Sequence, residues 1–150
     1  MRNKLIAFSL PLVFAAKAFA APADSACGWV DNEALAALGL HNAVRQMAPQ
    51  GTDTPKVDQC TFAAPNAPIP SLKVSVELAT DNLVLKPVCQ WTDFRQPNAG
   101  EMGLCFMKVG YSYASLTLMT APSSAASTIQ STLRAQAERL YNKHLEAASK

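Results

Sequence analysis

The chain lacks the short motifs by which most small enzymes and metal proteins are recognised. It has no Cys-x-x-Cys pair, which disfavours structural zinc sites and a thioredoxin-like redox centre. It has no Gly-x-Ser-x-Gly nucleophile elbow and no glycine-rich phosphate loop. Runs of like charge are also missing, so nothing predicts nucleic acid binding, which depends on clustered Lys and Arg. Motifs therefore predict no catalytic residue, no metal site and no cofactor.

The N-terminus carries the features of a signal peptide. Arg2 and Lys4 give a positive start, an apolar run spans residues 5–16, and Ala18-Phe19-Ala20 places small residues where signal peptidase cleaves. The run is shorter than the roughly 20 apolar residues that a membrane-spanning helix needs. We predict a signal peptide over residues 1–20 and a single mature domain over residues 21–150. The mature protein would be periplasmic or secreted, without a stable membrane anchor.

Export changes the charge balance of the chain. Of 13 Lys and Arg residues, Arg2, Lys4 and Lys17 lie in the predicted signal peptide, so the mature chain keeps ten basic residues against 11 acidic ones. Its net charge is −1, so the predicted mature domain lacks the excess of basic residues that is typical of nucleic-acid-binding proteins. A domain of about 130 residues is large enough to bury a substantial core.

All four cysteines lie in the predicted mature domain. An even number of cysteines in an oxidising compartment indicates two disulfides, for which four cysteines allow three pairings. We favour Cys27–Cys60 and Cys89–Cys105. The second pair closes a short loop, which loop-closure entropy values at roughly 3 kcal/mol.

The first half of the domain predicts one helix and two strands. Asp31 is a good N-cap and Gly39 a good stop, which places a short helix between them. Residues 41–57 read as a loop, with a possible helical turn near residues 44–47. A strand is predicted over 60–64. Residues 72–79 alternate apolar and polar side chains, which is typical of a strand with one buried face.

The second half predicts a hairpin followed by a long helix. Pro87 interrupts residues 83–94, and we predict an extended segment near 88–92. Residues 102–119 form a β-hairpin if Gly110-Tyr111 is a type II′ turn. Residues 124–147 contain no Gly or Pro and predict an amphipathic helix. The expected fold is α+β: a four- to five-stranded, mainly antiparallel sheet with a short N-terminal and a long C-terminal helix on one face.

The hairpin register gives a candidate binding face. Cys105, Met107 and Leu116 fall on one side of the hairpin, which should pack against the helices. The other side carries Leu104, Phe106, Tyr113 and Met119, with Trp91 expected nearby. These side chains are too apolar for a fully wet surface. Either a loop or the 83–94 segment covers them, or they form a binding face.

Other candidate groups have ordinary structural explanations. His41 follows a helix end and His144 lies near the apolar stripe of the C-terminal helix, where histidines often cap or pack. Met102, Cys105 and Met107 could suit Cu(I), but core filling is the better interpretation of the methionines. Asp93 and Glu101 flank one loop, and two carboxylates across a cleft could hydrolyse a glycoside.

Several short motifs resemble a known exported family. They are Cys27 with the Leu35-Ala-Ala-Leu-Gly39 helix end, Cys60-Thr-Phe62, and the strand Leu72-Lys-Val-Ser-Val-Glu-Leu78, followed by the hairpin and the C-terminal helix. In this order they resemble a small cell-envelope domain of unknown function, best known among actinobacterial lipoproteins. The resemblance implies an α+β fold and export, with no assigned activity. This chain has no lipid-attachment cysteine, which removes the family's membrane anchor.

Three hypotheses for function follow from the sequence. The first is a non-enzymatic envelope module that binds a protein, a peptide or an apolar ligand through the open sheet face. The second is an enzyme that acts on an envelope polymer through Asp93 and Glu101. The third is an inhibitor of a secreted enzyme, or a structural subunit.

Overall fold

The computed structural model describes residues 25–47, 57–67, 69–93, 100–121 and 126–150. The predicted signal peptide lies outside the described residues. Within these ranges, three helices and six strands follow one another: α1 (Ala26–Trp29), α2 (Asn32–Ala37), β1 (Val44–Met47), β2 (Val57–Ala63), β3 (Ser71–Leu78), β4 (Leu85–Asp93), β5 (Glu101–Val109), β6 (Ser112–Thr120) and α3 (Ala126–Ala148). The expected α+β class is confirmed. Among the described residues, no helix is both long and apolar enough to cross a membrane.

The six strands form one antiparallel sheet in the order β1-β2-β3-β6-β5-β4. The sequence predicted four or five strands. The additional strand is β1, where we had expected a loop with a helical turn. Its residues pair with β2, from Val44 opposite Ala63 to Met47 opposite Cys60. This pairing satisfies backbone groups that a single helical turn would leave open.

The predicted hairpin is confirmed in both its turn and its register. Val109 pairs with Ser112 and Cys105 pairs with Leu116. Gly110 adopts a positive φ of 57° and Tyr111 does not, which fits a type II′ turn, whose first central residue needs that conformation.

The N-terminal helical region is divided into two short helices. The Ser25 side chain caps α1 and the Asp31 side chain caps α2. Gly39, with a φ of 77°, follows the end of α2, as the sequence predicted. Helices of four and six residues are too short to be stable alone, so their formation depends on docking against the rest of the domain.

Both disulfides are present in the favoured pairing. Cys27–Cys60 joins α1 to β2, and Cys89–Cys105 joins directly opposite residues of β4 and β5. No free cysteine occurs among the described residues. Disulfides of this kind are typical of proteins in an oxidising compartment outside the cytoplasm.

The helices α1 and α3 pack on the same side of the sheet, which we call the inner face. The core forms there, with α1 over β2 and β3 and α3 over β4 and β5. It contains the alternate apolar side chains of β3, β5 and β6 and one stripe of α3: Leu72, Val74, Val76, Cys105, Met107, Val109, Ala114, Leu116, Leu118, Leu133, Ala137 and Leu140.

An ion-pair cluster joins α2 to α3. The Asp31 carboxylate accepts hydrogen bonds from Arg139, with Nη1 at 3.0 Å, and from Lys143 Nζ at 2.8 Å. It also accepts the Ala34 N–H at 3.0 Å, as an N-cap does. The hydrogen bond from Arg139 is the largest cause that holds the pKa of Asp31 well below its ordinary value. Partial burial opposes this effect, and Lys143 and the Ala34 N–H add to it.

This cluster predicts an acid-dependent contribution to stability. Because the folded state lowers the pKa of Asp31, its stabilisation is complete above the unfolded value of about 4. It declines below that value and is lost as the pH falls through the lowered pKa of the folded state. Asp31→Asn keeps a capping side chain and removes the charge, so we expect a loss of about 1 kcal/mol at pH 7. Urea unfolding should show this gap narrowing progressively as the pH is lowered from 7 to 2, because Asp31 is protonated in the unfolded chain before it is protonated in the folded protein. A gap that keeps its size over this range would contradict the ion-pair explanation.

Candidate functional site

The side of the sheet opposite the helices, which we call the outer face, has no described helix or strand packed over it. Its side chains alternate with the core residues along β5 and β6: inner-face residues are buried, and most outer-face residues are partly exposed. Directly opposite residues share a face in an antiparallel sheet. The register therefore shows which side chains are neighbours there.

Apolar side chains form a patch on the outer face of β5 and β6, where Thr117 and Ser115 lie opposite Leu104 and Phe106. Leu104, Phe106, Tyr113 and Met119, all predicted as a candidate binding face, lie on this side and are each partly exposed. The rings of Phe106 and Tyr113 stack with centroids 6.1 Å apart and an interplanar angle of 29°. The structure therefore brings these four predicted residues onto one surface, which we call the outer patch.

Two further apolar residues extend the outer patch. Met102 lies directly opposite Met119. Val88 of the edge strand β4 lies opposite Phe106 and is 50% exposed. Val88 was not among the predicted residues of this face, because Pro87 hides the alternation of β4. Val88 is β-branched and stands two positions before Gln90. Because β-branched residues are enriched in strands, this feature could have identified it as a strand residue.

Trp91 does not join the outer patch. It lies opposite Gly103 on β5, and its ring contacts the inner face of that strand. A Cβ on Gly103 would lie 2.4 Å from the Trp91 ring and 2.6 Å from Leu133 of α3. Glycine is therefore required for the indole to pack between the sheet and α3. Trp91 is part of the helix-covered side of the protein.

Charged groups gather at one end of the outer patch. The Lys108 amino group contacts the Asp81 carboxylate. Glu77, Tyr113 and Lys108 form one row across β3, β6 and β5. Together with the β3–β4 connection they line an open cavity of about 410 Å³.

The carboxylate pair considered for hydrolysis is placed unfavourably. Asp93 and Glu101 are register partners at the ends of β4 and β5. Glu101 is only 8% exposed, and its Oε2 has no hydrogen-bond partner among the described residues. A hydrolytic carboxylate must reach its substrate. In this conformation Glu101 has almost no accessible surface with which to do so.

The structure also shows the surroundings of the other candidate residues, His144, His41 and Cys105. His144 is buried, its Nε2 lies 2.9 Å from the carbonyl oxygen of Trp29, and its ring packs edge-on to the Trp29 ring. His41 is exposed just beyond α2. Cys105 is in a disulfide, so it is not a thiolate ligand for copper. Within the described ranges, no three His, Cys, Asp or Glu residues gather in a group that could hold a metal ion.

Comparison with known protein families, with curated proteins and with solved structures finds no match to this chain.

Proposed function

We propose that this protein is a non-enzymatic module of the cell envelope that binds a protein, a peptide or an apolar ligand through the outer patch. The observation that carries the proposal is the placement of both sheet-contacting helices, α1 and α3, on the inner face. The outer face nevertheless keeps a contiguous set of apolar side chains on β4, β5 and β6. Contiguous exposed apolar surface is a recurrent mark of interaction sites in soluble proteins.

The charge distribution supports the same proposal. No member of the outer patch is charged, and Lys108, at one end of the patch, is paired with Asp81. Apolar cores surrounded by polar residues are typical of protein interfaces. Lys73 and Glu77 of β3 lie along one border of the patch, where they would form part of a polar rim.

The resemblance to exported envelope domains, the predicted signal peptide and the two disulfides support an envelope location. An enzyme acting on an envelope polymer through Asp93 and Glu101 is the weaker alternative, because the Glu101 side chain is buried. Inhibition of a secreted enzyme would use the same patch and is a special case of the binding proposal.

Phe106→Asp is expected to abolish binding while leaving the fold intact. The substitution places a charge at the centre of the outer patch, where desolvation on binding would cost several kcal/mol. The residue lies outside the core, so we expect little change in the melting temperature. Photo-crosslinking in intact cells, with a photoreactive phenylalanine analogue at position 106, should give one dominant adduct. The same analogue at position 113 should give the same adduct.

Val44 provides a matched control for both measurements. It is 44% exposed on the outer face of β1, at the opposite edge of the sheet from the patch. The analogue at position 44 should not give the adduct, and Val44→Asp should not reduce binding. Equal crosslinking from positions 44 and 106, or undiminished binding by a folded Phe106→Asp protein, would refute the proposal.

A further inference from the structure

The contact between Lys108 and Asp81 differs from an ordinary surface ion pair. Lys108 lies near the end of β5, one strand in from the edge strand β4. Its side chain is only 9% exposed, whereas the Asp81 side chain is 56% exposed. The amino group of this mostly buried lysine therefore contacts a carboxylate in the β3–β4 connection. Burying a cation in this way costs free energy that one partly exposed carboxylate offsets incompletely.

Both groups are held in place. The Asp81 Oδ1 that contacts Lys108 also accepts the Leu83 N–H at 3.0 Å, which fixes the carboxylate within a local turn. Lys108 is fixed by its place in β5, between β4 and β6. The amino nitrogen and the carboxyl group are thus preorganised against each other.

A second carboxylate lies in the same cavity. Glu77 lines the cavity together with Asp81, Lys108 and Tyr113. It stands two strands from Lys108 in the same row, with Tyr113 between them. Neighbouring strands are about 4.8 Å apart, so the backbones of Glu77 and Lys108 are about 10 Å apart, a separation that two long side chains can bridge across Tyr113.

We propose that Lys108 and Asp81 condense to form an intramolecular isopeptide bond, with Glu77 as the proton carrier. Proton transfer from Lys108 Nζ to the Asp81 carboxylate leaves both groups uncharged, and the Nζ lone pair then attacks Cγ of the protonated carboxyl group, which forms the N–C bond. Glu77 accepts a proton from Nζ and delivers it to the departing hydroxyl group. The C–O bond breaks, one water leaves, and Glu77 returns to its starting state. No oxidant, reductant or cofactor takes part.

Two physical arguments favour this reaction. Well-oriented intramolecular groups reach effective concentrations of about 10⁵ M or more, which lowers the barrier to a condensation that is slow between free molecules in water. With Asp81 Oδ1 as the carbonyl oxygen, the Leu83 N–H that donates to it at 3.0 Å stabilises the negative charge that forms there during attack, as the donors of an oxyanion hole do. The product also replaces a buried cation with a neutral amide and ties the β3–β4 connection covalently to β5.

Mass spectrometry of the intact mature protein tests the proposal. After reduction of the disulfides, the mature chain should be lighter than its sequence mass by one water. Trypsin then locates the bond. It does not cut between Lys86 and Pro87, nor after a lysine whose amino group is acylated. Segments 74–95 and 96–134 should therefore stay joined after reduction, with no cleavage after Lys108.

Three variants separate this bond from other losses of water. Lys108→Arg keeps the positive charge but cannot form the bond, and Glu77→Gln lacks the proton carrier, so both should show their full sequence masses. Glu138→Gln, an exposed carboxylate on α3, is the matched control and should stay one water light. A wild-type chain at full mass would overturn the proposal. So would a water loss that maps within 74–95 alone, which would indicate a cyclic imide.

Discussion

Replacing Cys27 and Cys60 together with alanine is expected to lower the free energy of unfolding by about 3–4 kcal/mol. The disulfide closes a separation of 33 residues and joins α1 to the sheet at β2. Helices as short as α1 and α2 have little stability of their own. Without this bond we expect them to detach before the sheet unfolds. Urea denaturation would measure the loss, and amide hydrogen exchange would show fast exchange in α1 and α2.

The second disulfide gives the matched control. Cys89–Cys105 joins residues that already face each other across β4 and β5. A Cys89→Ala/Cys105→Ala variant loses about 3 kcal/mol of loop-closure entropy, but its strands remain paired by their own hydrogen bonds. Its α1 and α2 amides should stay protected. Equal protection of α1 and α2 in both double variants would contradict the role assigned to Cys27–Cys60.

Trp29→Ala is expected to destabilise the protein by about 3–5 kcal/mol. Trp29 is 2% exposed, and its ring lies 3.6 Å from the His144 ring, centroid to centroid. Its carbonyl oxygen lies within hydrogen-bond distance of the same histidine. Removing the indole therefore leaves a cavity between α1 and α3, the two helices that cover the inner face. Chemical denaturation of the folded variant measures the loss.

Trp29→Phe distinguishes packing from hydrogen bonding. The indole Nε1 of Trp29 is buried with no hydrogen-bond partner among the described residues, so phenylalanine removes an unsatisfied donor and keeps most of the ring. We expect a loss below about 1.5 kcal/mol, because relief of the unpaired donor offsets part of the lost volume. If Trp29→Phe were as destabilising as Trp29→Ala, the indole nitrogen would have a role that packing does not explain.

The hairpin illustrates what could be read from the sequence. Gly110 indicated the position of the turn. The turn fixed which residues of β5 and β6 pair, and this register determined which side chains share a face. Leu104, Phe106, Tyr113 and Met119 were therefore assigned to one surface by local rules alone. The disulfide pairing was likewise predicted, and the long C-terminal helix followed from an uninterrupted amphipathic pattern.

Features that depend on distant partners were not predictable in this way. The segment Val44–Met47 has no strong alternation, and it becomes a strand because β2 offers it an open edge. Trp91 was expected near the outer patch, but its side of the sheet depends on the register of β4 against β5. Pro87 and the irregularity between Leu85 and Val88 conceal that register in the sequence.

The Lys108–Asp81 contact was missed for a related reason. The two residues are 27 positions apart, and the contact requires the β3–β4 connection to return across the end of β5. A single lysine within an otherwise apolar strand was the available signal. Buried lysines need a partner, but the sequence does not show which carboxylate provides it.

Carbene footprinting of the outer patch tests the central claim most directly. In the purified mature protein, Leu104, Phe106, Tyr113 and Met119 should be labelled, whereas Leu116 and Leu118 on the inner face should be protected. In the intact envelope, where the partner is bound, labelling of these four residues should decrease. If these four were as protected as Leu116 in the purified protein, the chain itself would cover this face. The outer patch would then be part of the core.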